Sequence, residues 1–392
     1  MSNSNNNDIA RARRAKYRKA RWKKVMTVLA VVLVIFIVVI SVSLYSSIFS
    51  YDVSDFFRST FSIGSFPVTI EDGAVKEKAV SAGALFMLND TDLKTVSGSG
   101  AVLLEYRHGI ANPGLAVSGN RAVIYSRGGK SYKVFNRTMN LYSGSMTNPI
   151  ISVAVTPSGK TAFLTSGDVY TGELNVFDRK GDKIFTWYGS DGFPVGVYAS
   201  SYRNNVVILG VRSENGELYT TVSCLDLDTK SERSTFQLEG MPVMAFHDND
   251  AVIIFLDDRC VKCDLSGNIS AEYDYNGRTI LGIRSDSGKD IAIAFGDNKK
   301  SELNSISVLT RKVTEICEID FKDTIEDFWV SSDKIYVLSR GRIDAFSHSG
   351  LLEEIYHCDI STYSLVYFGG VIRLEPRSLV KSSKEDREEI RQ

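Results

Sequence analysis

The chain has 392 residues, with 46 Lys and Arg against 47 Asp and Glu, and 43% of its residues are hydrophobic. A net charge of −1 excludes a uniformly basic nucleic-acid binder, and the hydrophobic content excludes a disordered chain. Five cysteines, an odd number, do not indicate a disulfide framework.

Charge is uneven along the chain. Residues 1–24 carry nine Lys or Arg against Asp8 alone, a net +8, which leaves −9 for the rest. Val25 to Tyr45 then runs 21 residues without a charge. At about 1.5 Å per residue this run matches a hydrocarbon core of roughly 30 Å, and it predicts a transmembrane helix. A cleaved signal peptide is the competing reading, but its apolar region is about 7 to 15 residues long and ends in a small-x-small site. The basic flank predicts a single-pass, type II protein of the cell membrane, with a cytoplasmic N-terminus and an extracytoplasmic body.

Residues 46–65 form a connector in which Val53, Phe56, Phe57 and Phe61 share one helical face. Such a helix either lies on the outer leaflet or plugs the base of the following domain.

From residue 66 to 380 one pattern returns. Its clearest copy is Glu173 to Phe185, a strand, a turn and a second strand. The first column of the repeat reads Leu93, Tyr132, Leu174, Val222, Cys260, Ile306, Ile343, and the second, three residues on, reads Val96, Phe135, Phe177, Leu225, Cys263, Leu309, Phe346. Next comes a turn-forming column, Ser97, Asn136, Asp178, Asp226, Asp264, Thr310, Ser347. First-column spacings of 39, 42, 48, 38, 46 and 37 match a four-stranded propeller blade. A short β-rich run precedes each hairpin, for example Leu85 to Leu88 and Val252 to Phe255.

These observations predict an all-β chain, a β-propeller of about eight four-stranded blades with seven left open, following a single N-terminal transmembrane helix. Seven blades are complete, and the eighth is a composite of residues 361–380 with Pro67 to Ile70, closing the ring with both ends of the domain. Pro113, Pro149, Pro194 and Pro242 each sit just before the innermost strand of a blade, where a missing N–H is harmless. Residues 381–392 read as a charged C-terminal tail.

Motifs that would carry chemistry are scarce. Cys260 and Cys263 form a C-x-x-C, but they occupy the two apolar columns and point to opposite faces of a strand, so they read as buried hydrophobes. His108, His247, His348 and His357 have no metal-like spacing. No catalytic, cofactor-binding or metal-binding residue is assigned. Trp187, Tyr188 and Phe193 cluster near one loop and are the candidate partner-binding residues, with blade-to-blade packing as the alternative. The longest spacings place extra loop length around Ser213 to Leu218 and Asn298 to Asn304.

Hairpins such as VFDRKGDKIFTW and CLDLDTKSERSTF resemble quinoprotein-like and WD40-like propeller repeats. The whole arrangement is similar to an uncharacterised family of membrane-anchored propellers from Gram-positive bacteria. That resemblance covers nearly the whole chain and implies fold, not activity. A quinone enzyme would need stacked tryptophans, yet the counterpart of Trp187 is Phe236, and the docking Thr-Gly-Lys reads Thr229, Lys230, Ser231. The expected function is therefore a non-catalytic, membrane-tethered binding or scaffolding module for an envelope protein or cell-wall component, without nucleic acid or cofactor. The alternative is an envelope enzyme, quinoprotein-like or hydrolytic, with its active site at the channel mouth.

Overall fold

The computed structural model describes residues 21–38, 47–71, 73–248, 250–285, 290–296 and 304–390. The predicted transmembrane helix over 25–45 is corrected: among the described residues, no helix is long and apolar enough to cross a membrane. The described helix covers 21–38, and it opens with Arg21, Trp22, Lys23 and Lys24. The apolar remainder rises only ~21 Å at 1.5 Å per residue, short of a hydrocarbon core. The rest of the predicted run, 39–46, lies outside the described residues. The type II, single-pass topology and the cell-membrane location with an extracytoplasmic propeller were derived from that span and are corrected with it. A second helix, Ser47–Phe61, covers the connector, where Phe56 and Phe57 meet edge to face at 5.9 Å and remain exposed.

Eight antiparallel sheets follow, each four strands or more. The innermost strands are Glu77–Ser81, Pro113–Ser118, Ile150–Val155, Phe193–Ala199, Pro242–His247, Thr279–Ser285, Asp327–Val330 and Ser364–Tyr367. These define blades 1 to 8. In blade 8 the order is Ser364–Tyr367, Val371–Glu375, Ser378–Lys381 and then Val68–Thr69, whose Val68 pairs with Leu379. The N-terminal strand thus completes the last blade and closes the ring, which settles the count at eight. Blade 7 holds a fifth strand: Arg387–Glu389, in the segment read as a charged tail, pairs with Glu354 to Tyr356.

The two apolar columns explain how blades join. Being three apart on one strand, they face opposite sides of their sheet. In each of the seven blades that carry them, the first-column residue packs against the next blade and the second against the previous one. Leu93 lies in the core between blades 1 and 2, and Val96 in that between blades 8 and 1. Likewise Cys260 packs between blades 5 and 6, and Cys263 between blades 4 and 5. Eight such apolar clusters form the core. The second strand of each blade, such as Ala84–Leu88, is buried on both faces, which is why it reads as a continuous apolar run.

The turn column behaves as its chemistry predicts. In all seven hairpins its side-chain oxygen accepts backbone N–H groups of the turn, at 2.7 to 3.3 Å. A register shift accompanies each turn, always at the second column: Val96, Phe135, Phe177, Leu225, Cys263, Leu309 and Phe346. This recurring bulge increases the local twist of the outer strand pair.

Candidate functional site

One region of exposed apolar surface stands out on blades 3 and 4. It is built where the loop after Thr161–Ser166 meets the connection between Lys183–Gly189 and Phe193–Ala199. The two segments are tied by the Thr171 N–H, which donates to the Gly189 carbonyl at 2.9 Å, and by the Tyr170 and Tyr188 rings, 4.8 Å apart. Val169 is 89% exposed, Phe193 72%, Tyr188 51% and Tyr170 45%. Polar groups border the patch: Arg212 reaches Asp191 at 3.0 Å and Glu214 at 3.4 Å, and Gln237 donates to Asp191 at 3.1 Å.

Of the three candidate residues, the structure puts Tyr188 and Phe193 at this surface. Trp187 instead packs into the core between blades 3 and 4, and its indole N–H donates to Glu232 at 2.5 Å. Val169 and Tyr170 were missed by the sequence reading, because the loop holding them carries no repeat column.

The extra length around 213–218 is strand, not loop. Asn205–Glu214 and Glu217–Asp226 pair along their whole length and turn through Asn215 and Gly216, both at positive φ. An Asn-Gly pair between two strands is the signature of a tight hairpin, and it was present to be read. The second long interval, 298–304, falls mostly outside the described residues.

A second feature lies on the ring axis, a cavity of about 770 Å³ lined by residues from all eight blades. Lys78, Arg284 and Arg311 line it together with Trp329, Phe246 and Tyr367. Lys78 is buried and forms an ion pair with Asp327, whose carboxylate also accepts the Ser364 hydroxyl at 2.6 Å and the Leu365 N–H at 3.1 Å. Burial would raise the Asp327 pKa, but the Lys78 charge and these hydrogen bonds outweigh it and hold the carboxyl below its ordinary range. Burial lowers Lys78, the Asp327 charge opposes this, and the charge of Arg284 adds to the lowering.

The histidines are dispersed, as their spacing indicated. His108 accepts the Ile110 N–H at 3.0 Å, and its other nitrogen meets the Asn89 carbonyl at 3.2 Å. His348 bridges Asp290 at 2.8 Å and the Ser331 carbonyl at 3.1 Å. His247 is buried, and neither of its ring nitrogens has a partner among the described residues. Among the described residues no group of three or more His, Cys, Asp or Glu is placed to hold a metal ion.

Fold and surface together define an eight-bladed β-propeller. The chain belongs to the family described as Family of unknown function (DUF5711), whose model matches residues 68–373. No curated protein matches the chain. Several solved structures share the architecture. BamB from Moraxella catarrhalis is 12% identical with a TM-score of 0.51, over 81% of this chain and all of that one. Sqt1 from Saccharomyces cerevisiae is 10% identical with a TM-score of 0.54, over 83% of this chain and 100% of that one. The β-propeller domain of Cps50 (Swd1) from Myceliophteria thermophila is 10% identical with a TM-score of 0.52, over 71% and 98% of the two chains. At such identities the likeness is one of fold.

Proposed function

We propose that this protein is a non-catalytic interaction propeller that docks a protein partner on the exposed face of blades 3 and 4. The observation that carries the reading is the exposure of Val169, Tyr170, Tyr188 and Phe193 on two joined segments of one end of the ring, with the Tyr170 and Tyr188 rings in contact. Large apolar groups cost free energy in water, and adjacent exposed aromatics rimmed by charge are the usual makeup of an interface centre. The paired strands beneath hold these side chains in place, so little ordering entropy opposes docking. The projecting hairpin around Asn215–Gly216 extends the same binding face.

The test is recovery of partners with the full chain from its own cells. A Tyr188→Ser, Phe193→Ser double variant should fold normally and lose a partner that the wild type retains by about 2 kcal/mol or more, a loss typical of interface hot spots. Deleting residues 213–218 should weaken the same capture while the melting profile keeps its cooperativity. Equal recovery by wild type and both variants refutes the docking face. Turnover by the purified chain, abolished by changing one acidic or His residue, refutes the non-catalytic reading.

A further inference from the structure

We propose that the axial cavity is a binding site for a small polyanion, a molecule with at least two phosphate or carboxylate groups, gripped by Lys78, Arg284 and Arg311 against the Trp329 ring. The three cations come from blades 1 and 6, and among the described residues no Asp or Glu lines the cavity. The body of the protein is acidic, since residues 25–392 carry −9. A cationic interior within an acidic body is therefore a local feature and not a reflection of composition. A concave, low-dielectric wall focuses such a field on a small anion.

Lys78 and Arg311 each have a carboxylate partner that is not among the cavity-lining residues, and Arg284 has none among the described residues. Asp327 lies behind Lys78, and its oxygens are occupied by Lys78, Ser364, Leu365 and the Phe328 N–H at 2.9 Å. That carboxylate aims the ammonium and has little capacity left to attract other cations. Arg311 is braced by Asp248 at 3.3 Å and lies over the Phe246 ring at 5.4 Å. Arg284 lies over the Trp329 ring at 5.9 Å and has no carboxylate partner among the described residues. Lys78 approaches the same indole, also at 5.9 Å. Two cations sharing one aromatic ring repel each other, and an anion with two charged groups between them converts repulsion into paired, charge-assisted hydrogen bonds. The cavity volume falls in the range of small-molecule sites, roughly 300–1,000 Å³.

Isothermal titration of the full chain at low ionic strength, with pyrophosphate and citrate as separate probes, tests the proposal. Saturable, salt-sensitive binding of either probe is expected, and the stronger probe assigns the group as phosphate or carboxylate. Arg284→Met should weaken it about tenfold or more, the loss of one charge-assisted contact. Lys183→Met, an exposed charge on the outer strand of blade 3, should leave it unchanged. Because Arg284 has no ion-pair partner among the described residues, its loss should leave the melting profile intact. No saturable binding of either probe at millimolar concentration overturns the proposal, as does an equal loss in the Arg284 and Lys183 variants.

Discussion

His247 should make the stability of this propeller fall as the solution is acidified through pH 6. Its imidazole is buried at the end of an innermost strand of blade 5, with no hydrogen-bond partner for either nitrogen among the described residues. Burial, assisted by the charge of Arg233 and opposed by that of Asp250, lowers its pKa to about 4. The unfolded chain has an ordinary histidine near pH 6.5 and takes up a proton that the folded chain refuses. Stability from this group is therefore complete above about pH 6.5 and declines as pH falls toward 4. Linkage puts the loss between pH 7 and pH 5 at about 2 kcal/mol. His247→Leu removes the titration and also two buried polar atoms, which should stabilise the fold at pH 7 by about 1–2 kcal/mol. Urea unfolding of both proteins at pH 7 and pH 5 reads the effect as a widening gap between midpoints. Parallel shifts of the two proteins with pH would refute the reasoning.

Two further substitutions probe the ring. Cys260→Ser and Cys263→Ser should each cost about 1–3 kcal/mol, because a hydroxyl enters a buried apolar site between blades. Burial pushes the two thiols up to about 12 and about 11, so a thiol reagent at pH 8 should leave both unmodified until the chain unfolds. Val68→Asp places a charge inside the blade that closes the ring and should cost about 3–5 kcal/mol, whereas Thr69→Asp, on the exposed side of the same strand, should cost under about 0.5 kcal/mol. Equal effects at 68 and 69 would show that the closing strand contributes nothing.

Most of the ring was legible because its constraints are periodic. Each blade needs one apolar side chain for either neighbour and a turn cap beside them, so Leu174, Phe177 and Asp178 repeat in register with Val222, Leu225 and Asp226. The composite eighth blade was legible from Pro67 to Ile70 and residues 361–380. The recurrent bulge was not, since any apolar residue satisfies it and no distinct residue type marks it. Arg387–Glu389 read as tail because this strand is made of charged residues, Glu388 and Glu389 stay in solvent, and it shows no apolar alternation. The apolar run after Lys24 predicted a span from its 21 uncharged residues, whereas no helix among the described residues is long and apolar enough to cross a membrane. Lys78, Arg284, Arg311 and Trp329 occupy no shared column; only closure of the ring brings such distant positions to one axis.

The claim that blades 3 and 4 carry the docking face is tested most directly by placing a photo-crosslinking residue at position 193 of the full chain in its own cells. A second chain carries the same residue at position 183, on the exposed outer strand of blade 3. The account predicts one discrete protein adduct from position 193, absent from position 183 and lost when Tyr188 is also changed to Ser. No adduct from 193, or the same adducts from both positions, would contradict it.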